Sequence, residues 1–116
     1  MIDVIHFYKV RDLDRVRAFY GELLGLSLYK DQGLCLIYDL DSHGKIGFCT
    51  HHPENVPAST CITFVYATRE DVDACYRSLN ERIGPLPTPS YNTRFGIYHF
   101  FAKDFEGLTV EFQTFL

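Results

Sequence analysis

The sequence repeats one pattern of strands and a helix in its two halves, and this repeat limits the fold more than any other feature. The halves align without gaps at an offset of 56 residues over their strand–helix portions. Apolar side chains recur at the paired positions Tyr8 and Phe64, Val16 and Val72, Ala18 and Ala74, Tyr20 and Tyr76, and Leu23 and Leu79. Each half predicts a βαβββ module, and because neither module can bury its sheet by itself, we expect the two to pair.

The repeat therefore predicts an α+β fold of two βαβββ modules that form a curved mixed sheet with the helices outside. The modules cover about residues 1–52 and 60–116 of a single domain. The alternative is a ferredoxin-like α+β domain, which has about four strands.

Hydrophobic periodicity and turn residues predict the individual elements. Strands are predicted at 4–10, 26–30, 34–40, 45–50, 61–67, 96–103 and 108–115. Helical stripes run over 13–24, with Asp12 or Asp14 as the cap, and over 72–83, and they end at Gly25 and Gly84. The segment 51–59 is predicted to be a linker, and 84–92, with its three prolines, a loop.

Charge and hydropathy exclude several classes of partner. The formal net charge is −4, with 11 Lys and Arg against 15 Asp and Glu, which disfavours a protein that binds nucleic-acid backbones. No apolar run approaches the roughly 20 residues that span a bilayer, and the first residues lack the order of a signal peptide. We therefore expect a cytoplasmic protein that contacts neither nucleic acid nor membrane.

The four cysteines, Cys35, Cys49, Cys61 and Cys75, form no CxxC motif. Zinc knuckles and thioredoxin-type redox pairs are therefore not supported. Because free cysteine is among the residues most often buried, the expectation is four buried free thiols.

Two segments resemble a known group of proteins. Residues 10–25 read VRDLDRVRAFYGELLG, and residues 104–112 read DFEGLTVEF. The first is similar to the opening of the vicinal oxygen chelate superfamily, and the second to its D-P-[DE]-G-x-x-x-E ending, with Phe105 in place of the proline. The group includes glyoxalase I, bleomycin- and fosfomycin-resistance proteins and extradiol dioxygenases.

The resemblance implies a divalent metal, such as zinc, nickel, manganese or iron, bound by the first and fourth strands of both modules. The matching positions here are Ile5, Gly47, Cys61 and Glu111. Only Glu111 and Cys61 carry donor groups, which is fewer than the three protein ligands of a typical catalytic metal site. His6, next to Ile5, points to the opposite face of a regular strand and packs under the helices unless a bulge turns it. We therefore expect no metal or other cofactor.

Other side chains share the predicted ligand-facing side of the sheet. His99 and Glu111 lie on neighbouring strands, where they suit either proton transfer, as catalytic residues, or an ordinary structural pair. Lys9 either receives a ligand carboxylate or lies exposed at the rim. The predicted ligand-binding residues are Phe7, Lys9, Thr63, His99, Phe101 and Gln113.

Three functions fit these residues. The first is a protein that binds a small organic molecule on the concave, ligand-facing side of the sheet, without the usual metal. The second is a metal-dependent lyase, isomerase or dioxygenase with unusual ligands, drawn from His6, Cys61, His99 and Glu111. The third is a noncatalytic regulatory or assembly module. The resemblance also implies a homodimer.

Overall fold

The chain divides into two units, Met1–Ala58 and Ser59–Leu116. The structure is a computed structural model that describes residues 1–56 and 60–116. Each unit has one strand, a helical segment and three further strands in chain order. This order confirms the predicted α+β class and its two βαβββ modules.

The first unit contains a four-stranded mixed sheet. Its strands are β1 (Ile5–Lys9), β2 (Leu28–Asp31), β3 (Cys35–Asp39) and β4 (Lys45–Cys49). Their order across the sheet is β1-β4-β3-β2, with β1 parallel to β4 and the other pairs antiparallel. Hairpin β3–β4 is the buried centre of the sheet, as expected for strands that are paired on both sides.

The helical segment of the first unit has two parts. Helix α1 (Leu13–Val16) begins at the cap residue Asp12, whose carboxylate accepts a hydrogen bond of 2.9 Å from the backbone N–H of Asp14. It continues as a wider, π-helical stretch over Arg17–Leu23. The sequence predicted the segment but not its pitch, because the hydrophobic spacing of so short a stretch does not separate the two kinds of turn.

The second unit repeats this sheet. Its strands are β5 (Cys61–Val65), β6 (Ser90–Asn92), β7 (Ile97–Lys103) and β8 (Thr109–Phe115). Their order is β5-β8-β7-β6, again with the outer first strand parallel to its neighbour. Strand β6 corrects the predicted loop over 84–92. The prolines end at Pro89, and the extended chain after it can pair with the edge of β7.

Helix α2 (Arg69–Ile83) begins three residues before the predicted hydrophobic stripe. The hydroxyl oxygen of Thr68 accepts a hydrogen bond of 3.1 Å from the backbone N–H of Asp71 and so caps the helix. The helix ends as predicted at Gly84, whose N–H donates to the carbonyl of Asn80 at 2.9 Å.

The repeat in the sequence corresponds to a repeat in the packing. Tyr8 stacks on Phe48 with ring centroids 6.0 Å apart in the first unit, and Phe64 stacks on Phe112 at 5.7 Å in the second. The ring of Phe112 also lies 4.9 Å from Phe100. Each module therefore has its own aromatic core, which accounts for much of the aromatic content.

The turn between β7 and β8 shows why the terminal motif has its residues. Asp104 is only 5% exposed, and its Oδ1 accepts hydrogen bonds from the backbone N–H groups of Glu106 and Leu108 at 2.9 and 2.8 Å. Gly107 has a φ of +84°, a left-handed conformation that favours glycine. Phe105 is 40% exposed, so the turn accommodates it in place of proline.

The expectation of four buried free thiols is wrong. Cys35 and Cys49 are buried but bonded to each other in a disulfide. They are direct partners across the antiparallel pair β3–β4, with Cα atoms 4.1 Å apart, so their side chains meet on one face of the sheet. The other two thiols are free, and Cys61 is exposed whereas Cys75 is half-buried.

No helix in the part of the chain that the structure describes is long and apolar enough to cross a membrane.

A tyrosine hydrogen bond joins helix α2 to the sheet and predicts an alkaline loss of stability. The Tyr98 hydroxyl donates to Oδ1 of Asp73 at 2.5 Å. This hydrogen bond, with a smaller contribution from burial, raises the pKa of Tyr98 to about 12, above the usual value near 10. The contribution to stability is complete below pH 10 and is lost as the pH rises through 12, because only the protonated hydroxyl can donate.

We expect Tyr98→Phe to lower the free energy of unfolding by about 1 kcal/mol at pH 8, since the bond is partly solvated. The difference from wild type should vanish by pH 12, measured by urea unfolding at each pH. Tyr29→Phe, at a residue 55% exposed, is the control and should change little at pH 8. A Tyr98→Phe deficit that persists undiminished at pH 12 would contradict this assignment.

Candidate functional site

Three polar side chains meet on one face of the second unit's sheet. The Thr63 hydroxyl donates to Oε1 of Glu111 at 2.8 Å. Oε2 of the same carboxylate lies 2.6 Å from Nδ1 of His99. The side chains of His99 and Glu111 are only 12% and 13% exposed. The carboxylate of Glu111 thus holds the largely buried imidazole of His99 on one side and the hydroxyl of the exposed Thr63 on the other.

The strand register explains why these residues meet. Thr63 is the direct partner of Glu111 across β5 and β8, and His99 is the direct partner of Gln113 across β7 and β8. Glu111 and Gln113 are two residues apart, so they project to the same face. His99 and Glu111 are therefore diagonal neighbours, close enough for the longer side chains to touch.

The hydrogen bonds orient the imidazole of His99. An ionised carboxylate only accepts hydrogen bonds, so the proton between the two groups belongs to Nδ1 of His99. Nε2 is then the ring nitrogen that can face a ligand. The ring also contacts Phe101 edge-to-face, with centroids 5.0 Å apart. A carboxylate-oriented imidazole of this kind can accept a hydrogen bond or remove a proton.

His99, Phe101 and Glu111 line a cavity of about 440 Å³ within the second unit, whereas Thr63 is not part of its lining. Its lining consists of Asn92, Phe95, Ile97, His99, Phe101, Glu111, Gln113 and Phe115. The volume lies within the usual range of small-molecule pockets, and the walls combine aromatic rings with a few polar groups. His99, Phe101, Glu111 and Gln113 are among the residues that the sequence predicts for a site.

The other four lining residues were not predicted. Ile97 and Phe115 are direct partners across β7 and β8, and Asn92 pairs with Ile97 across β6. Ile97 lies two residues before His99 on β7, so it projects to the same face, and its direct partners Asn92 and Phe115 share that face. Phe95 lies before β7, in a segment whose conformation the sequence does not determine.

A second cavity of about 610 Å³ lies elsewhere in the same unit. It is mainly apolar, and its lining consists of Ile83, Leu86, Pro87, Phe101, Ala102, Lys103, Phe105 and Thr109. The polar cluster of His99 and Glu111 belongs to the first cavity, which we therefore take as the candidate site.

Two of the predicted ligand-binding residues, Phe7 and Lys9, lie on β1 in the first unit. Phe7 is 51% exposed, and its ring covers Gly47 on the adjacent strand, where any Cβ would collide with it. Nζ of Lys9 lies 3.0 Å from Nε2 of His51. Both residues stay predictions as ligand contacts.

The positions that match the family's metal ligands do not form a suitable donor set. Ile5 has no donor group, and the space above Gly47 holds the ring of Phe7. Both carboxylate oxygens of Glu111 already accept hydrogen bonds. Cys61 is exposed, with its Sγ 3.7 Å from the hydroxyl of Thr63. We derive no metal chemistry from these positions.

His6 does not add a donor group to this set of positions. Its partner across β1 and β4 is Ile46, on the face opposite to Phe7 and Gly47. The strand is regular there, so no bulge turns the side chain. The expectation that His6 packs under the helices is nevertheless wrong, because the residue is exposed.

A different group of potential ligands lies in the first unit and was not predicted. Among the described residues, Cys35, Cys49 and His51 place one donor atom each within 4.8 Å of one another. The sequence contains only part of this signal, because the exact register of the hairpin decides which residues stand opposite each other. Cys35 lies four residues before Asp39 and Cys49 four residues after Lys45, and the turn joins these two residues, so a tight hairpin pairs the cysteines.

Comparisons with known proteins agree with this architecture. One similar solved structure is a lactoylglutathione lyase from Agrobacterium tumefaciens, with a TM-score of 0.80 at 17% identity over 96% of this chain and 91% of that chain. Another is an integron cassette protein from the mobile metagenome of a Halifax Harbour sewage outfall, with a TM-score of 0.82 at 16% identity over 97% of both chains. A glyoxalase/bleomycin resistance protein from Catenulispora acidiphila has a TM-score of 0.74 at 15% identity over the full length of both chains. At these identities the likeness shows the fold.

No curated protein sequence matches the chain significantly. A family model does match it, over residues 4–112, which include both modules and both motifs singled out in the sequence. The chain therefore belongs to the glyoxalase/bleomycin resistance protein/dioxygenase superfamily.

Proposed function

We propose that the protein binds a small organic molecule in the cavity beside His99 and Glu111, without a divalent metal. The observation that carries the proposal is the carboxylate of Glu111, which accepts hydrogen bonds from Thr63 and His99 through its two oxygens. A carboxylate used in this way orients an imidazole toward a ligand. Ile5 and Gly47, at two of the family's four ligand positions, carry no donor group, so fewer than the three protein ligands of a typical catalytic metal site are present.

The lining of the cavity suggests the chemical class of the ligand. Phe101 is 42% exposed, and Phe95 and Phe115 are 64% and 65% exposed, so planar apolar surface is available for contact. Nε2 of His99 is suited to accept a hydrogen bond, and the amide of Gln113 can donate or accept one. A small aromatic molecule with a hydroxyl group combines these features.

The pair formed by His99 and Glu111 is also suited to catalysis. An imidazole oriented by Glu111 can take a proton from a bound hydroxyl or from a carbon next to a carbonyl, which is a step of lyase and isomerase chemistry. We keep a lyase, isomerase or dioxygenase as the alternative function, and a noncatalytic regulatory module as the second alternative. The ligand titration below separates the binding proposals from the module.

The remaining features of the proposal rest on sequence and resemblance. We propose that the protein acts in the cytoplasm as a homodimer, as the resemblance implies for short members of this group. The net charge of −4 supports a small-molecule partner over nucleic acid. Phe7 and Lys9 are proposed as further ligand contacts, tested by Phe7→Ala and Lys9→Met in the same titration.

The test is a thermal-shift screen of small phenols and hydroxybenzoates, followed by calorimetric titration of those that bind. A binder should raise stability by about 2.7 kcal/mol when its concentration is 100 times its dissociation constant. We expect His99→Ala and Phe101→Ala to weaken binding about tenfold or more, equivalent to about 1.4 kcal/mol each. Phe105→Ala is the matched control, because Phe105 is 40% exposed, like Phe101, but lines only the second cavity, whereas Phe101 lines both.

Three results would overturn the proposal. The first is that no phenol or hydroxybenzoate binds. The second is that binding is as strong in His99→Ala as in wild type. The third is one equivalent of divalent metal in protein purified without a tag, lost in Glu111→Ala, which would favour the metal-dependent enzyme instead.

A further inference from the structure

Cys35, Cys49 and His51 lie together in the first unit and have no part in the proposed function, and Lys9, there a further ligand contact, joins them in one cluster. Cys35 and Cys49 are bonded to each other from directly opposed positions on β3 and β4. Cys35 is 8% exposed and Cys49 is 3% exposed. The sulfur pair is therefore shielded, with Cys35 the more accessible partner.

A histidine contacts the sulfur of Cys35. His51 follows Cys49 by two residues, and its Nδ1 lies 3.8 Å from Sγ of Cys35, which is within hydrogen-bond distance for sulfur. His51 itself is exposed. The sulfur pair therefore has an imidazole between it and the surface.

A lysine determines which nitrogen of this imidazole carries the proton. Lys9 is the direct partner of Cys49 across β1 and β4, and its Nζ lies 3.0 Å from Nε2 of His51. An ammonium group only donates, so Nε2 must accept. The proton of the neutral ring is then on Nδ1, where it is directed at the sulfur of Cys35.

This arrangement stabilises a thiolate at Cys35 when the disulfide is reduced. A hydrogen-bond donor and a nearby positive charge both favour the charged form of a thiol. The thiolate is the form that attacks disulfides. The contacts of Cys35 thus favour its thiolate at a sulfur that is itself only slightly exposed.

The same three ligand atoms, within 4.8 Å of one another, also resemble part of a metal site. Two features oppose a metal here. Nδ1 of His51 must lose its proton to bind a metal, which the hydrogen bond from Lys9 to Nε2 disfavours. The charge of Lys9 also repels a cation at the imidazole. We therefore favour redox chemistry over metal binding.

We propose that Cys35 and Cys49 are a reversible thiol–disulfide pair that exchanges with small-molecule disulfides, with Cys35 as the attacking thiolate and Lys9 and His51 as its positioning residues. The proposal is independent of the ligand cavity in the second unit.

The exchange is balanced as follows. The Cys35 thiolate attacks one sulfur of a small disulfide, the bond between the two small-molecule sulfurs breaks, and one thiolate leaves and takes up a proton. The Cys49 thiol then loses its proton and attacks the sulfur of Cys35. The Cys35–Cys49 bond forms as the second small thiolate leaves. The two cysteines lose two electrons, and the small disulfide becomes two thiols.

The first experiment incubates the protein in glutathione buffers of graded ratio and maps the state of each cysteine by mass spectrometry. We expect the Cys35–Cys49 pair to pass reversibly from oxidised to reduced across the series. In Cys49→Ser, where the second step is blocked, a mixed disulfide with glutathione should accumulate at Cys35. If Cys49→Ser does not fold, the mixed disulfide is sought in wild-type protein by acid quenching during oxidation.

The second experiment measures alkylation of Cys35 by iodoacetamide in reduced protein at pH 7, with peptide mapping to separate it from Cys61 and Cys75. Lys9→Met and His51→Gln should each slow alkylation about tenfold, because each removes a group that favours the thiolate, which is the form that reacts. Lys30→Met and His43→Gln are the matched controls. They remove the same kinds of side chain elsewhere in the unit and should leave the rate unchanged.

Several outcomes would overturn the proposal. One is a pair that stays wholly oxidised or wholly reduced in every glutathione buffer. Another is alkylation at the wild-type rate in both Lys9→Met and His51→Gln. A third is reduced protein that binds one Zn²⁺ per chain and loses it in His51→Gln, which would make the cluster a metal site. None of these results bears on the binding of phenols in the second unit.

Discussion

Phe112→Ala should lower the free energy of unfolding by about 3 to 5 kcal/mol, the range for removing a fully buried phenylalanine. Phe112 is 0% exposed and lies at the centre of the aromatic core of the second unit. Its ring contacts Phe64, Tyr66 and Phe100 at centroid distances of 5.7, 6.4 and 4.9 Å. Truncation would leave a cavity among three rings that a rigid sheet cannot close.

The measurement is urea unfolding followed by tyrosine fluorescence, because the chain has eight tyrosines and no tryptophan. Phe115→Ala is the control, three residues away on the same strand and 65% exposed. It should change stability by less than about 0.5 kcal/mol. Equal losses in the two variants would mean that the aromatic contacts of Phe112 do not stabilise the fold as described.

Glu111→Leu should lower the free energy of unfolding by about 1 to 3 kcal/mol, because it leaves two donors without their acceptor, one of them on the poorly solvated side chain of His99. The donors are the hydroxyl of Thr63 and Nδ1–H of His99. Leucine supplies similar bulk, so the loss reports the hydrogen bonds more than the packing. The variant should also release the imidazole, so that its proton is no longer held on Nδ1.

The matched variant is Glu111→Gln, whose carbonyl oxygen can still accept from Nδ1–H of His99. It should keep most of the stability, within about 1 kcal/mol of wild type. Nitrogen NMR of the His99 side chain gives the second measurement, with the proton on Nδ1 in wild type and Glu111→Gln and distributed over both nitrogens in Glu111→Leu. If Glu111→Leu is as stable as Glu111→Gln, the carboxylate does not organise this site.

The order of the secondary structure could be predicted because it depends on local signals. The repeat between Val16 and Val72 and between Tyr20 and Tyr76 predicted two equivalent modules, and three of these four side chains are almost fully buried. Alternation in β8 placed Glu111 and Gln113 on one face, and both line the cavity. Because these patterns extend over only a few residues, they can be recognised without knowledge of the rest of the chain.

The chemistry of the cysteines could not be predicted from residue type and spacing in the same way. The spacing of the cysteines along the chain forms no CxxC motif, and free thiols were therefore expected. What the spacing hides is the hairpin register, which places Cys35 opposite Cys49. The equivalent direct pair in the second unit is His99 and Gln113, so the same place in the module carries different chemistry in each half.

The sequence by itself determined the α+β class, the two βαβββ modules, the glycines that follow both helical segments and the side of the sheet on which Glu111 lies. Each of these follows from periodicity or from a cap within a few residues. Only the tertiary structure decided which side chains meet. Strand pairing between residues far apart in the chain brings Thr63 and His99 to Glu111, Cys35 to Cys49, and Lys9 to His51. Alternation along one strand predicts the face of a side chain, but which residues of two strands stand opposite each other depends on positions far apart in the chain, and a pattern within one strand does not specify it.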